Sequence, residues 1–109
     1  MFGLGKSHKE VSAVELAELL AAGSVTLVDV REPDEFAAEH IDGAINLPLS
    51  KFDPAAVPAK PGKTTILQCA GGKRSGMALD RCATAQAAID THLGGGLGAW
   101  KAAGLPTVR

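Results

Sequence analysis

The segment from Ser24 to Val30 limits the possible folds more than any other part of this chain. Its residues are β-branched or apolar at nearly every position, which is typical of a strand covered on both faces. A helix is predicted from Pro33 to about Glu39, then a strand from Lys63 to Cys69 and a helix from Gly76 to about Gln86. Strands that alternate with helices predict an α/β fold, with a parallel sheet and helices on both faces.

The remaining elements are shorter. Ser12 and Glu15 fit a capping box for a first helix that ends at Gly23 and whose apolar stripe is Val14, Leu16, Leu19 and Leu20. The length of 109 residues argues for a single domain, residues 10–109. Residues 1–9 mix glycine with charge and predict a loose arm. We further expect a short strand at 44–47, an irregular connection at 53–62, a weaker strand at 87–93 and a last helix at 97–103.

Composition excludes several classes of function. The formal net charge is −1, so no basic surface for nucleic acid or for an acidic membrane is expected. The two cysteines are separated by twelve residues, which is neither a disulfide framework nor a metal-ligand pattern. No apolar run is long enough to span a membrane and no signal peptide is apparent. We expect a cytoplasmic protein that needs no cofactor and no metal.

Cys69 occupies the most informative position, where the predicted strand ends and a helix is about to begin. Gly71 and Gly72 allow a tight, cradle-shaped turn, and the turn and the helix N-terminus both present N–H groups. Lys73 and Arg74 add positive charge. Lowering a cysteine pKa from about 8.5 to about 6.5 takes roughly 2.7 kcal/mol, which charge-assisted hydrogen bonds of about 1.5–3 kcal/mol each can supply. The loop therefore predicts a site for an anion: a reactive thiolate, or a group bound beside it.

Four stretches that follow one another along the chain in the expected order resemble the rhodanese family of sulfurtransferases. The loop Cys69-x-x-Gly72-x-Arg74-Ser75 resembles the active-site loop of its single-domain members. The other three are LVDVRE at 27–32 with Glu35-Phe36 and HIDGAINLP at 40–48; LGGGLGAW at 93–100; and GLP at 104–106. The resemblance covers nearly the whole chain. It implies a three-layer fold built on a five-stranded parallel sheet, with the loop as the floor of the pocket.

The resemblance also implies a chemistry. Cys69 would attack the outer sulfur of a donor such as thiosulfate, keep that sulfur as a persulfide, and pass it to cyanide, a small thiol or a thiol protein. Asp29 and Arg31 would support the site, the carboxylate by holding a loop arginine or backbone N–H groups. Lys73 and Arg74 would attract the dianionic donor. The residues expected to bind substrate and to stabilise the persulfide are Ala70, Gly71, Gly72, Lys73, Arg74 and Ser75.

Two other functions stay open. The domain could be a persulfide carrier or a partner-binding module in a sulfur relay, because a carrier needs the same loop. A phosphatase or arsenate reductase is more remote, because those loops place arginine one position later than Arg74. For His8, His40 and His92 we expect structural roles, for Cys82 a buried apolar position, and for Trp100 a place in the core. The glycine run at 94–98 does not fit a dinucleotide-binding fingerprint.

Overall fold

The computed structural model describes residues 8–109. Five strands and four α-helices alternate along this part of the chain, and the connection between β3 and β4 carries two short 3₁₀ turns, Leu49–Lys51 and Pro54–Ala56. In chain order the elements are β1 Lys9–Val11, α1 Ala13–Ala21, β2 Val25–Asp29, α2 Pro33–Ala38, β3 Ile45–Asn46, β4 Thr64–Gln68, α3 Lys73–Thr84, β5 Thr91–Leu93 and α4 Gly96–Ala102.

The five strands form one sheet in the order β1-β5-β4-β2-β3, and every neighbouring pair is parallel. β2 and β4 pair along their full lengths, from Val25 opposite Thr64 to Asp29 opposite Gln68. All five residues of β2 are buried, as expected of a strand covered on both faces. The predicted α/β class and five-stranded parallel sheet are confirmed.

A separate apolar core fills the space on each face of the sheet. One packs Leu16 of α1 and Trp100 of α4 against Leu27 and Ile66 of the central strands. The other packs α3 against the opposite face, to which every second residue of a strand points. The buried members of this core are Val28, Val30, Phe52, Leu67, Cys69, Ala78, Leu79 and Cys82. Cys69 therefore belongs to the core on the α3 side.

α1 begins as predicted. Ser12 Oγ accepts a hydrogen bond from the Glu15 backbone N–H (3.1 Å), and the Glu15 carboxylate accepts one from the Ser12 N–H (2.9 Å). This reciprocal capping box satisfies two backbone donors that have no partner within the helix. The predicted apolar stripe is wrong at Val14, which is 57 % exposed.

α3 begins three residues earlier than predicted, at Lys73 instead of Gly76. Gly72 has a φ of +107°, a conformation open mainly to glycine, and this single residue turns the chain directly into the helix. The loop proper is therefore only Cys69 to Gly72, and the backbone N–H groups of Lys73, Arg74 and Ser75 belong to the first helical turn.

The C-terminus of α3 shows how the chain turns without a glycine. Gln86 adopts a φ of +58°; its N–H bonds to Ala83 O at 3.0 Å, and the Ala87 N–H bonds to Cys82 O at 2.8 Å. These are the two bonds of a Schellman motif, with glutamine where glycine is usual. The strand predicted at 87–93 is shorter than expected and covers only Thr91–Leu93. Residues 87–90 form the connection between this turn and the strand.

The predicted arm ends earlier than expected. Lys9 already pairs with Thr91 in the sheet, and His8 Nε2 lies 2.8 Å from Asp80 Oδ1. Residues 1–7 of the predicted arm lie outside the described part of the chain. Between residues 8 and 109, no helix is long and apolar enough to cross a membrane.

Candidate active site

Cys69 follows β4 directly, at the carboxyl end of the central strand of the sheet. Sites in open parallel sheets lie at this edge. The Gly72 backbone N–H donates to Cys69 Sγ at 3.0 Å, and Ser75 Oγ lies 3.5 Å from the sulfur. The residue is 1 % exposed. The loop thus closes around a single sulfur atom, and its first hydrogen-bond donor is already in place.

The surroundings favour the ionised form of Cys69. Burial raises the pKa of the thiol, but hydrogen bonds from the Ser75 hydroxyl and from the backbone N–H groups of Ser75, Gly72 and Gly71 outweigh it, so the pKa lies below its ordinary value. Donors aimed at an anion stabilise it in this way even where water is excluded. The arrangement suits a buried thiolate.

The start of α4 holds the loop through hydrogen bonds to the carbonyls of Cys69 and Ala70. Leu97 N–H donates to Cys69 O at 2.8 Å, and Gly98 N–H donates to Ala70 O at 3.0 Å. A Cβ on Gly96 would lie 2.5 Å from Cys69 O, and Gly96 also has a φ of +60°. Two backbones approach here as closely as only glycine permits, so the glycine-rich segment supports the cysteine loop.

The Arg74 guanidinium beside the Cys69 loop is already paired. Its Nη1 and Nη2 donate to the two carboxylate oxygens of Glu35, at 2.6 and 3.0 Å. This hydrogen-bonded pairing is the main reason that the pKa of Glu35 falls to about 2. Lys73 is exposed, and among residues 8–109 no carboxylate oxygen lies within 4 Å of its Nζ.

The expected support by Asp29 takes a different form. Its carboxylate accepts hydrogen bonds from Arg31 Nε and Nη2 (the latter at 2.8 Å) and from the Arg31 backbone N–H at 2.9 Å. Of the two expected contacts, Asp29 makes the one with a backbone N–H group, that of Arg31, and it pairs with the Arg31 side chain instead of the loop arginine. Arg31 Nη1 and Nη2 also donate to the carbonyls of Glu35 and Glu39. Both charges are buried. Because Arg31 bonds to Asp29 at the end of β2 and to the backbone of α2, the pair ties α2 to β2 and so positions Glu35, the partner of Arg74.

Two residues that the sequence reasoning did not assign to the site reach the loop from other elements. The sequence marks Glu35 only as part of the family resemblance. His92, for which a structural role was expected, lies in β5 with Nδ1 2.7 Å from Ser75 Oγ. A histidine in a predicted strand gives no local signal of its neighbours, since strand order decides which residues it faces.

Two further predictions, a core position for Trp100 and a buried apolar position for Cys82, are confirmed. Trp100 is buried in the core, and its Nε1 donates to Pro106 O at 2.8 Å. Cys82 is a free thiol in the α3-side core. His40 stacks on Phe36, with ring centroids 3.8 Å apart.

No group of His, Cys, Asp and Glu side chains suited to a metal ion occurs within residues 8–109. A groove of about 600 Å³ lies beside Thr64 and Thr65, at the end of β4 opposite to Cys69.

Comparison with known proteins agrees with this geometry. Residues 12–103 match the family model of the rhodanese-like domain. The uncharacterized protein slr1261 of Synechocystis is 51 % identical over 104 residues, which are 95 % of this chain and 58 % of that protein. The thiosulfate sulfurtransferase PspE of Escherichia coli is 40 % identical over 53 residues, 47 % of this chain and 51 % of PspE.

This chain thus spans about half the length of those curated relatives. The crystal structure of a rhodanese-related protein from Thermoplasma volcanium superimposes with a TM-score of 0.77 and 28 % identity, covering 93 % of this chain and 98 % of the other. The family match and the structural match each cover most of the chain. The chain therefore belongs to the family of rhodanese-like domains, whose members include sulfurtransferases.

Proposed function

We propose that this domain is a sulfurtransferase that carries sulfane sulfur as a persulfide on Cys69, with thiosulfate as donor. One observation carries the proposal. The Cys69 sulfur sits at the carboxyl end of the central strand, with the Gly72 N–H donated to it at 3.0 Å and the Ser75 hydroxyl 3.5 Å away. Such a loop stabilises a thiolate before reaction and a terminal persulfide anion after it.

The reaction divides into two displacements. The Cys69 thiolate attacks the outer sulfur of thiosulfate, the S–S bond of the donor breaks, and sulfite leaves with the electron pair. A thiophilic acceptor, such as cyanide or a thiol, then attacks the outer persulfide sulfur and restores the thiolate. Two half-reactions through a covalent intermediate predict ping-pong kinetics.

The remaining site residues have supporting roles in this scheme. The backbone from Ala70 to Ser75 forms the cradle for the outer sulfur, and Lys73 supplies a positive charge that attracts the dianionic donor. Arg74 contributes in combination with Glu35. Asp29 and Arg31 hold α2 and so the position of Glu35. A small cradle of this kind suits one sulfur atom better than a phosphate group, so phosphate transfer is not favoured.

Intact-mass measurement after brief incubation with thiosulfate tests the proposal. We expect the wild type to gain one sulfur atom, about 32 Da, and to lose it to cyanide with formation of thiocyanate. Cys69→Ser should gain nothing, whereas Cys82→Ala should behave as the wild type. An adduct that persists in Cys69→Ser, or the absence of any adduct on the wild type, would contradict the proposed donor and nucleophile.

The rate at which the persulfide is discharged distinguishes an enzyme from a persulfide carrier. If the domain is an enzyme for small acceptors, cyanide or a thiol discharges the persulfide at a rate that saturates with acceptor concentration. A carrier would keep its persulfide against small thiols and release it rapidly only to a partner protein.

A further inference from the structure

A row of polar side chains leads from the buried Cys69 sulfur to the protein surface. Ser75 Oγ lies 3.5 Å from Cys69 Sγ and 2.7 Å from His92 Nδ1. On the far side of the ring, His92 Nε2 lies 3.5 Å from Glu10 Oε2. The side chain of His92 is 8 % exposed, whereas that of Glu10 is 63 % exposed. The row therefore connects a buried thiol with a carboxylate in water.

The single proton of the Ser75 hydroxyl makes the direction of this row informative. Ser75 Oγ has three neighbours: Cys69 Sγ, His92 Nδ1 and, at 3.2 Å, Gly72 O. If His92 carries its proton on Nε2, Nδ1 accepts from Ser75, and the hydroxyl can only accept from the thiol. If the proton is on Nδ1, His92 donates to Ser75, and the hydroxyl can donate to a thiolate.

We propose that Ser75, His92 and Glu10 carry the Cys69 proton to solvent, with His92 as the positioning residue that sets the direction of the Ser75 hydroxyl. The thiol proton passes to Ser75 Oγ, and the original hydroxyl proton passes to His92 Nδ1. The proton on Nε2 leaves to Glu10 Oε2 and from there to water. Cys69 becomes a thiolate that accepts a hydrogen bond from Ser75, and His92 stays neutral as the other tautomer.

The surroundings of His92 favour a neutral ring. Burial lowers its pKa; the Glu10 carboxylate opposes this, and the nearby His8 adds to it. His8 approaches edge-on, with ring centroids 6.2 Å apart, and its Nε2 lies 2.8 Å from Asp80 Oδ1 of α3. On the α3 side the ring faces Ser75 and the uncharged Gly76. A buried imidazole that avoids the charged form is suited to exchange tautomers without storing a proton.

The tautomer of His92 can be read by nitrogen-15 NMR of its ring, in a Cys82→Ala background where Cys69 is the only thiol. We expect the proton on Nε2 while Cys69 is a thiol, at a pH above the lowered pKa of His92. After Cys69 ionises, we expect it on Nδ1. In Cys69→Ser, which does not ionise, the tautomer should not change with pH. The same tautomer of His92 before and after ionisation of Cys69 would overturn the proposal.

Two variants of His92 separate this role from packing. Asn places an N–H donor near the position of Nδ1, whereas Leu fills the space without one. We expect thiolate absorbance near 240 nm at pH 7 to fall by about threefold to tenfold in His92→Leu, the effect of one lost hydrogen bond, and to be largely retained in His92→Asn. At high pH all three proteins should reach the same absorbance. Equal titrations for the wild type and His92→Leu, or equal losses in both variants, would contradict the role.

This inference rests on the proposed function only in that Cys69 acts as a thiolate. Neither measurement uses a sulfur donor. A failure of the proton path therefore shows in the free protein, whereas a failure of sulfur transfer shows as a missing mass adduct.

Discussion

Arg74, beside the reactive loop, forms a two-point ion pair with Glu35, which lies 39 residues earlier in the chain, with N–O distances of 2.6 and 3.0 Å. The arginine that the loop sequence offers for donor binding therefore has both terminal nitrogens occupied. The pair is close to neutral as a unit, and Lys73 remains as an exposed cation directly after the loop. This relationship changes how the charge of the loop should act on an anionic donor.

Removing either charge of this pair should change how well the anionic donor binds. Removing the cation in Arg74→Ala leaves the Glu35 carboxylate beside the loop, and we expect the KM for thiosulfate to rise by about threefold to tenfold at low salt. Glu35→Gln leaves the cation alone and should lower the KM by a similar factor. The double variant should return close to the wild type, and added salt should reduce all three differences. A higher KM in Glu35→Gln would mean that the position of Arg74 matters more than its charge.

The same pair predicts a dependence of stability on pH. The folded pKa of Glu35 is about 2, below its ordinary value of about 4.3. The ion pair therefore stabilises the fold fully above about pH 4.3, and this contribution is lost as the pH falls towards 2. Because both side chains are about one-third exposed, we expect only about 0.2–1 kcal/mol.

Urea unfolding of the wild type and Glu35→Gln tests this at pH 6 and pH 2.5. Gln preserves the hydrogen bond that the Glu32 N–H donates to Glu35 Oε1, as in other capping boxes. The difference in unfolding free energy should be present at pH 6 and shrink at pH 2.5. A difference that does not change with pH would show that the carboxylate charge is not the cause.

The pKa values of the two thiols should be shifted in opposite directions. Hydrogen bonds lower the pKa of Cys69 despite its burial, whereas burial raises the pKa of Cys82. Thiolate absorbance should therefore rise at lower pH in Cys82→Ala than in Cys69→Ser. We also expect Cys82→Ala to lose about 1 kcal/mol of stability, as a small core truncation does, and to keep its persulfide. Loss of sulfur transfer in Cys82→Ala would instead indicate a resolving cysteine.

Gly96 and Gly98 form a matched pair at the start of α4. A Cβ on Gly96 would clash with the carbonyls of Cys69 and Ala70, and its φ is positive, whereas a Cβ on Gly98 would make an ordinary 3.5 Å contact with Ala70 O. Gly96→Ala should cost about 2–4 kcal/mol of unfolding free energy and displace the loop, reducing persulfide formation. Gly98→Ala should leave activity unchanged and stabilise the helix by up to about 1 kcal/mol. Thermal unfolding and the mass assay measure both effects; similar results for the two variants would contradict the close approach at Gly96.

Gln86 is a position where the natural residue is not the best one for stability. Its φ of +58° costs about 1–2 kcal/mol in a residue with a side chain. Gln86→Gly should therefore raise the unfolding free energy by about 0.5–1 kcal/mol, after the greater entropy of unfolded glycine is deducted. Gln86→Ala keeps the strain and serves as the control. A destabilised glycine variant would contradict the left-handed turn.

The sequence by itself determined those features that depend on residues close together in the chain. The capping box of Ser12 and Glu15 and the buried strand β2 each involve a few consecutive residues, so their chemistry can be read locally. The same holds for the position of Cys69 between strand and helix. Four motifs in order were enough to indicate the family. The sequence pattern does not reveal the extra turn at the start of α3, because Gly72 alone changes the chain direction and a loop of four residues has the same local pattern as one of seven.

Only the tertiary structure decided the long-range partners of the loop. Glu35 reaches Arg74 because α2 is tied to β2 by Arg31, and His92 reaches Ser75 because β5 lies next to β4 in the sheet. Gly96 meets the carbonyl of Cys69 because α4 starts at the same edge of the sheet. Each of these contacts depends on strand order and register, and many residues with the same local pattern could have occupied the facing positions. Local chemistry thus identified the cysteine, and packing determined which charges and donors surround it.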